Sequence, residues 1–544
     1  MKIIVVGGVA AGASAAVRAR RMNDSAEIKI FEAGPYVSFA NCGLPYYVGG
    51  EIKKRENLLL VSPELFRGRF HIDVKLNHRV AAIDRKRKAI TVEAGGERFE
   101  ENYDKLILAP GCEPLIPPIK GARLGNVSTV FTIDDVDRIM EALDEGVKSA
   151  VVIGGGFIGL ETAEGLNKRG ISTVVAEMQN QLMTIFDPEF SIPMEKHLNA
   201  AGIGIRLGVK IREICGEEKV RSVELDSGEV LPADLVIVSA GIRPRTELAE
   251  NAGLRIGITG GIVVDERMQT SDPDIFAAGD ATESWHRVSG AKVRLALASN
   301  ANRQGRVAGD NAAGGSLRYQ GSVATSVIRL HDLTAARTGL SESEAKAAGI
   351  DCCRVYIPEA DHASYYPGSS IMILKVIWEK KSGKILGAQA VGKQGVDKRI
   401  DVLATAIYAG LKVTDLENLD LAYSPPYSSA KGPEIMAGMA ASNVFRGEER
   451  VVTPFELESF LKENDAEVID IRTQGEWDAG HIPGARHIVM EELRKNPGLL
   501  DPGKKYVVCC GVGKRAHITC CFLLQNGLDV RNLTGGWKAF NMDV

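Results

Sequence analysis

Residues 2–12, KIIVVGGVAAG, decide the fold of the first domain. They predict a short buried strand, a glycine-rich turn and an Ala-rich helix, and the next predicted strand, 28–31, ends at an acid. In a dinucleotide fold, glycines permit the tight turn, the helix N-terminus faces the pyrophosphate, and the acid accepts ribose hydroxyls. Val9 stands where the second glycine of the motif usually lies. The candidate nucleotide-binding residues here are Gly7, Gly8, Ala11, Gly12 and Glu32.

The same pattern occurs a second time. A predicted strand at 150–153 leads into 154–159, GGGFIG, and a strand at 173–176 leads to an acid. One such motif is weak support, but two, each followed by an acid about 20 residues later, indicate two dinucleotides. The carboxylate of Glu177 would repel a 2′-phosphate, which favours NADH over NADPH. The candidate residues are Gly154, Gly156, Gly159 and Glu177.

Three further segments complete the nucleotide-binding pattern. Residues 270–280, TSDPDIFAAGD, place Asp280 after a strand, where an acid can hold the ribityl chain of a flavin. Residues 108–111 and 239–244 have the composition of crossovers between two nucleotide domains. These segments predict FAD as the first dinucleotide and add Ala109, Gly111 and Gly241 to the cofactor-binding candidates.

Cys42 is the candidate reactive group. It lies in 38–47, SFANCGLPYY, shortly after the first nucleotide motif, and it has no CxxC partner. A two-electron disulfide reductase normally needs two thiols near its flavin. The second sulfur must therefore come from the substrate or from an oxidised form of Cys42, unless Cys42 is a buried structural residue.

Composition restricts the class of protein. A chain of 544 residues is too long for one core, and a net charge of -4 does not indicate a nucleic-acid partner. Nine cysteines without a secretory framework indicate a reducing compartment. We find no signal peptide and no apolar run long enough to span a membrane, so we expect a soluble cytoplasmic protein. The adjacent pairs 352–353 and 520–521 are not CxxC motifs, and we predict no metal site.

The order of these patterns predicts an α/β chain of four domains. Two are Rossmann-like nucleotide-binding domains, the third is an α+β interface domain, and a polar linker at 447–450 precedes a smaller α/β domain. The predicted domains are 1–112 with 241–324 for FAD, 113–240 for NADH, 325–445 for the interface, and 453–544 at the C-terminus.

Residues 1–440 resemble the single-cysteine pyridine nucleotide–disulfide oxidoreductases, and specifically the coenzyme A-disulfide reductases. The resemblance lies in 38–47, in 362–368, HASYYPG, and in 423–427, YSPPY. It implies a homodimer in which Tyr365 and Tyr423 reach the Cys42 sulfur of the other subunit. The alternative is that both tyrosines are ordinary core aromatics.

The resemblance also implies a coenzyme A site. Arg18 and Arg21 lie on the first predicted helix, where cations could meet the nucleotide phosphates. Two positions depart from the family, because Asn302 stands where a relative has His and Phe70 where one has Lys. The positions that contact coenzyme A in the reductases are Ser14, Arg18, Arg21, Ser38, Asn41 and Lys431.

Residues 453–544 resemble a rhodanese domain. The resemblance is carried by 470–472, DIR, by 476–485, EWDAGHIPGA, by 510–515, CGVGKR, and by 535–537, GGW. A cysteine between a strand and a helix is surrounded by backbone N–H groups, which lower the thiol pKa and hold an anionic persulfide. The register selects Cys510 as the nucleophile with Arg515 beside it, and leaves Cys509 on the strand.

Together, these resemblances imply an NADH-dependent flavoprotein that reduces coenzyme A disulfide, coenzyme A persulfide or polysulfide at Cys42 and transfers sulfane sulfur at Cys510. Two alternatives stay open. One is an NADH oxidase or peroxidase that cycles Cys42 through sulfenic acid. The other is a persulfide carrier or redox sensor. The sequence does not identify the physiological sulfur acceptor. It also leaves open whether coenzyme A is bound tightly or turned over.

Overall fold

The computed structural model describes residues 1–544 and separates into two compact units. The first comprises Met1–Leu182 and Leu198–Ser322, and the second comprises Met183–His197 and Val323–Val544. The predicted α/β class is confirmed, with a parallel sheet in each nucleotide-binding domain and in the C-terminal domain. None of its helices combines the length and the apolar character needed to cross a membrane.

The first nucleotide-binding domain is built on a five-stranded parallel sheet. Its central strand, Lys2–Val6, is almost entirely buried, because helices cover both faces of such a sheet. In spatial order the strands are Ile275–Ala277, Lys105–Leu108, Lys2–Val6, Glu27–Phe31 and Ile72–Lys75. The helices of this part of the chain are Ala10–Met22, Leu44–Val48, Pro63–Phe70 and Ala298–Ala312.

The second nucleotide-binding domain repeats this design with a second five-stranded parallel sheet. Its strands in spatial order are Gly204–Arg206, Ser172–Ala176, Ser149–Ile153, Leu235–Val238 and Val127–Ser128. Thr132 is the N-cap residue of helix Ile133–Asp144, and the side chains of Thr132 and Asp135 form a reciprocal capping box. The other helices between 113 and 240 are Phe157–Lys168 and Ser191–Ala200, whereas helix Glu247–Asn251 belongs to the first nucleotide-binding domain, in whose core Ala249 lies.

Smaller sheets complete the first unit, and all of them are antiparallel except for the parallel pairing of Ile262–Val263 with Thr282–Trp285. Strand Cys112–Pro114, which directly follows the first predicted crossover, pairs with Ile242–Pro244 of the second. The remaining strands form three sheets of three strands: Arg79–Asp84, Ala89–Ala94 and Glu97–Asn102; Ile211–Gly216, Val220–Leu225 and Val230–Pro232; and Ile262–Val263, Thr282–Trp285 and Lys292–Val293.

The interface domain has a five-stranded antiparallel sheet. Strand Ile371–Glu379 is buried along most of its length, and helix Val396–Ala409 begins directly after Gly395, which lies in the left-handed region. In spatial order the strands are Ser326–Leu330, Leu333–Gly339, Ile385–Gly392, Ile371–Glu379 and Cys352–Ala360. The helices are Glu342–Ala347, Val396–Ala409, Val413–Leu416 and Pro433–Phe445.

The C-terminal domain contains a third five-stranded parallel sheet. It lies against the edge strand Cys352–Ala360, where the Tyr356 backbone N–H donates to Thr534 Oγ1 at 3.0 Å. Its strands are Val451–Val452, Asp529–Leu533, Lys505–Cys509, Glu467–Asp470 and Arg486–His487 in spatial order. Its helices are Leu457–Asn464, Gln474–Asp478, Met490–Lys495, Lys514–Gln525 and Gly536–Asn541.

Candidate functional site

The two glycine-rich turns have closely similar geometry. A Cβ atom at Gly12 would lie 1.8 Å from the Gly7 carbonyl oxygen, and one at Gly159 would lie 2.1 Å from that of Gly154. Gly7 and Gly154 have φ angles of +91° and +114°, which other residues rarely adopt. The glycines at the two ends of each motif therefore allow the helix to approach the strand closely. Both turns fit a dinucleotide.

The predicted ribose acids lie beside these turns. Glu32 accepts hydrogen bonds from the backbone N–H groups of Gly8 at 2.7 Å and Gly34 at 2.9 Å. Glu177 accepts equivalent bonds from Gly155 at 2.6 Å and Gln179 at 2.7 Å. Each carboxylate is thus held at the end of the second strand of its domain, where ribose hydroxyls would be bound.

The predicted flavin residues meet beside the first sheet. Gly7 is tightly packed, because a Cβ there would lie 2.1 Å from the carbonyl oxygen of Ala109. Gly111 and Gly241 have positive φ angles and open space where a Cβ would be. Asp280 follows strand Ile275–Ala277, and burial raises its pKa. The turns, the acids and the open glycines together fit FAD and NADH.

A groove of about 570 Å³ opens above the first helix, Ala10–Met22. It brings together five of the six predicted coenzyme A positions and the candidate nucleophile, and Phe70 and Asn302 line it as well. The sixth position, Lys431, is exposed and belongs to the other compact unit. The predicted residues that line the groove are Ser14, Arg18, Arg21, Ser38, Asn41 and Cys42.

Several groove residues already have partners in the chain. Ser14 Oγ lies 2.5 Å from Asn302 Oδ1, and Asn41 Nδ2 donates to the Phe131 carbonyl at 2.8 Å. Arg18 forms an ion pair of 2.5 Å with the buried Asp310. The guanidinium of Arg18 is therefore partly neutralised, whereas the side chain of Arg21 is exposed.

Arg306 is a groove residue that the sequence analysis missed. It lies on helix Ala298–Ala312, is exposed, and lines the same groove as Arg21. One signal could have found it, because Asn302 and Arg306 are four residues apart and share a helix face. The groove thus offers two exposed guanidinium groups to an anionic ligand.

The Cys42 thiol is exposed but electrostatically unfavourable for ionisation. Surrounding protein partly desolvates the sulfur and raises its pKa, and the carboxylates of Glu161 and Asp280 raise it further. Glu161 is fixed nearby, because it accepts a hydrogen bond of 2.8 Å from the Tyr46 hydroxyl. The low Cys42 pKa that a thiolate nucleophile needs is therefore not provided by these neighbouring side chains.

Tyr365 and Tyr423 form an exposed pair. Their hydroxyl oxygens are 3.0 Å apart, and 74% of the Tyr365 surface and 49% of the Tyr423 surface are accessible. The hydrogen bond between the two hydroxyls raises the pKa of Tyr365. The alternative that they are core aromatics is therefore wrong, and both side chains are exposed to a partner or ligand.

The second candidate nucleophile is enclosed by its loop. Cys510 follows strand Lys505–Cys509 and is fully buried, and its Sγ accepts from the backbone N–H groups of Gly513 at 3.2 Å and Ala516 at 3.3 Å. Cys509 is also fully buried, and burial raises its pKa well above the usual range. The loop therefore directs backbone N–H groups at Cys510.

Arg515 is held by an acid that the sequence analysis did not single out. Glu476 binds its guanidinium in a bidentate ion pair, with distances of 2.9 Å and 2.5 Å. The hydrogen bond from Arg515 lowers the pKa of Glu476 to about 2. Glu476 belongs to the quoted segment 476–485, so its presence in that motif was the available signal.

Three family models match the chain. Residues 1–305 match pyridine nucleotide-disulphide oxidoreductase, residues 326–433 match the dimerisation domain of the same family, and residues 453–543 match the rhodanese-like domain. The first match covers more than half of the chain, and the three together follow the order of the predicted domains.

Some known proteins match nearly the whole chain, and others match about four fifths of it. The solved structure of reduced CoADR-RHD from Bacillus anthracis is 41% identical, with a TM-score of 0.96, and the match covers 99% of this chain and 97% of that one. A Methanocaldococcus jannaschii protein named NADH oxidase is 36% identical over 440 residues, 80% of this chain and 98% of the relative. The NAD(P)H coenzyme A polysulfide/persulfide reductase of Pyrococcus horikoshii is 37% identical over 437 residues, 80% of this chain and 97% of the relative.

Proposed function

The chain belongs to the pyridine nucleotide-disulphide oxidoreductase family, and from this premise we propose that it is an FAD-dependent, NADH-using reductase of coenzyme A disulfide, coenzyme A persulfide or polysulfide. The observation that carries the proposal is the groove in which the single exposed Cys42 lies beside the predicted coenzyme A positions. Nine free cysteines fit a reducing compartment, and we propose the cytoplasm.

The groove has the chemistry of a coenzyme A site. The exposed guanidinium groups of Arg21 and Arg306 suit phosphate groups, and Leu60 and Phe70 offer apolar surface. A ligand lying between these parts would extend towards Cys42. This arrangement supports coenzyme A thiols as the organic part of the substrate.

The proposed chemistry at Cys42 is thiol–disulfide exchange. The Cys42 thiolate attacks one sulfur of the substrate and forms a new S–S bond with it, the S–S bond of the substrate breaks, and the departing thiolate takes up a proton. The first glycine turn, Glu32 and Asp280 would hold FAD, which would supply the two electrons of NADH that return Cys42 to the thiolate. One NADH and one proton thus convert coenzyme A disulfide into two thiols, or a persulfide into a thiol and hydrogen sulfide.

The exposed tyrosine pair fits the protonation step. We propose a homodimer in which Tyr365 and Tyr423 of one subunit approach Cys42 of the other and protonate the leaving sulfur. The hydroxyl-to-hydroxyl contact of 3.0 Å supports a shared proton between them. Lys431, exposed on the same unit, would contact coenzyme A from that side.

The fused domain supports a sulfane-sulfur substrate. In this proposal, residues 1–112 and 241–324 bind FAD, 113–240 bind NADH, 325–445 form the dimer and 453–544 transfer sulfur. Cys510 would accept sulfane sulfur inside its ring of backbone N–H groups and pass it to the reductase.

The test is anaerobic NADH consumption by the holoenzyme with coenzyme A disulfide and, separately, coenzyme A persulfide. We expect Cys42→Ser to lose turnover of both substrates, and Cys510→Ser to keep disulfide turnover while persulfide turnover falls. Cys215→Ser is the matched control, because this thiol lies on strand Ile211–Gly216, away from the predicted site residues, and has no assigned step. Full turnover in Cys42→Ser would refute the proposal.

The second candidate is an NADH oxidase or peroxidase. It is favoured by the exposure of Cys42, because an accessible cysteine can form a sulfenic acid. Peroxide or oxygen consumption that exceeds sulfur-substrate turnover in the wild-type holoenzyme would select it. Slow turnover of every small substrate, with rapid transfer of Cys510 persulfide to a protein acceptor, would instead select a sulfur carrier.

A further inference from the structure

The Cys510 loop carries two cationic side chains, and an acid neutralises each of them. Lys514 and Arg515 begin the helix Lys514–Gln525 that follows the loop. Their partners come from different parts of the chain, Glu359 from the interface domain and Glu476 from the C-terminal domain. The four side chains together carry no net charge.

The Arg515–Glu476 pair lies directly over the loop. A Cβ atom at Gly511 would lie 3.5 Å from Arg515 Nη2 and 3.7 Å from Glu476 Oε1. Glu476 also accepts hydrogen bonds from the Thr473 backbone N–H at 3.1 Å and from its hydroxyl at 2.9 Å. The Glu476 carboxylate is therefore fixed. It occupies the two Arg515 nitrogens with which a guanidinium would otherwise bind an oxyanion in bidentate geometry.

The Lys514–Glu359 pair connects two domains. Glu359 lies near the end of the edge strand Cys352–Ala360, and 14% of its side chain is exposed. The same strand is fixed to the C-terminal domain by two further contacts, the Tyr356–Thr534 hydrogen bond and the Arg354–Glu456 ion pair. Glu359 is thus held beside the loop by the packing of the two domains.

We propose that Glu359 and Glu476 set the donor specificity of the Cys510 site: the loop accepts sulfane sulfur from organic persulfides and discriminates against the doubly charged oxyanion donor thiosulfate. The proposal rests on the sulfur-transfer role proposed above and specifies its substrate class. A persulfide group carries at most one negative charge on its two sulfurs. Thiosulfate would place two negative charges beside cations that are already paired with carboxylates.

The transfer step is the same for both donors. The Cys510 thiolate attacks the outer sulfur, the S–S bond of the donor breaks, and a new S–S bond forms on Cys510. An organic persulfide releases a thiolate, which takes up a proton, and thiosulfate releases sulfite. No external oxidant or reductant is consumed, and the donors differ in leaving group, shape and charge.

The experiment measures the rate at which Cys510 gains one sulfur atom, by intact-protein mass spectrometry of the flavin-loaded Cys42→Ser protein. The donors are thiosulfate and glutathione persulfide at equal concentration. We expect the persulfide to react at least about tenfold faster. The double substitution Glu359→Gln with Glu476→Gln should raise the thiosulfate rate about tenfold, because it frees two cations, and should change the persulfide rate by less than about threefold.

Two controls keep the result specific. Glu458→Gln with Glu463→Gln removes the same charge from exposed positions on helix Leu457–Asn464 and should change neither rate. Cys510→Ser in the same background should gain no sulfur. Because Cys42 is absent throughout, failure of the reductase proposal appears only in the NADH assay. Equal wild-type rates with both donors, or a donor ratio in the double variant within twofold of the control, would overturn the inference.

Discussion

Cys42 is accessible, yet partial burial of its sulfur, and after it the carboxylates of Glu161 and Asp280, raise the pKa of its thiol. We predict that Glu161→Gln lowers the pH midpoint of Cys42 alkylation by about one pH unit, because it removes a negative charge that raises the Cys42 pKa. The amide can still accept the hydrogen bond from Tyr46, so the loop should keep its shape. The measurement is the rate of iodoacetamide modification against pH, with Cys42→Ser as the blank. An unchanged midpoint would remove Glu161 from the account of Cys42 reactivity.

Glu177 should select the nicotinamide cofactor. It is held by Gly155 and Gln179 at the position where a ribose is bound, so a 2′-phosphate would meet its charge. We predict that Glu177→Gln shifts the ratio of kcat/KM for NADPH over NADH upward by about tenfold, since one charged hydrogen bond contributes about 1.5–3 kcal/mol. Steady-state kinetics with both cofactors measure it. Glu32→Gln, in the other nucleotide domain, should leave the ratio unchanged.

At the scale of elements, one buried arginine joins the two loops that carry the tyrosine pair. Arg399, on helix Val396–Ala409, donates to the Asp361 carbonyl at 2.6 Å and to Ser428 Oγ at 3.3 Å. Asp361 precedes the Tyr365 loop, and Ser428 follows the segment that contains Tyr423. Arg399 is itself buried, and its hydrogen bonds to both loops fix the positions of the two tyrosines.

The ion pair of this arginine gives a stability prediction. Arg399 Nε lies 3.4 Å from Glu434 Oε2, and both side chains are almost fully buried. Arg399→Met should lower the free energy of unfolding by about 3–5 kcal/mol, because it leaves the Glu434 charge buried and unpaired. Denaturant unfolding measures the loss. The double variant Arg399→Met with Glu434→Leu should recover most of it, and equal losses in both variants would show that the charge is not the cause.

The elements that the sequence predicted are those whose signal is local. The strand predicted at 28–31 begins one residue earlier, at Glu27, and both glycine turns have the expected geometry, because turn and strand are encoded by neighbouring residues. The partnership between Glu359 and Lys514 could not be predicted in the same way, and the spacing of Arg306 from Asn302 indicates a shared helix face but not that this face lines the groove. These depend on which helix faces a groove and which domain edge meets a loop, and distant parts of the chain determine both.

At the scale of the whole molecule, the second compact unit takes in a short segment from the nucleotide-binding half of the sequence. The segment Met183–His197 brings Asp187 and Glu189 to the buried Lys375 of strand Ile371–Glu379. The Lys375 ammonium lies 2.8 Å from Asp187 Oδ2, 2.7 Å from Glu189 Oε1 and 3.2 Å from Glu342 Oε2. A single cation thus joins three parts of the chain that are far apart in sequence.

The opposite charges of this cluster stabilise one another and so offset the cost of removing them from water. Burial opposes ionisation of Asp187 and Glu342, but Lys375 and neighbouring donors outweigh it and lower both pKa values. Burial also opposes the charge on Lys375, and the three acids nevertheless raise its pKa. The carboxylates contribute stability that is lost as pH falls, and Lys375 contributes stability that is lost as pH rises. The cluster should therefore be fully effective between about pH 5 and pH 10.

Lys375→Met should consequently destabilise the second unit in a pH-dependent way. At pH 7 the variant leaves buried carboxylates without their cation, and we expect a loss of about 3–5 kcal/mol. Without Lys375 the pKa values of Asp187 and Glu342 rise, so the variant takes up protons as pH falls and its deficit relative to wild type should shrink towards pH 5. Hydrogen exchange of strand Ile371–Glu379 at both pH values measures the deficit within this unit, with the exposed Lys381→Met as the matched control. A deficit that is independent of pH would mean that Lys375 acts through packing, because loss of its aliphatic contacts does not depend on the protonation of the acids.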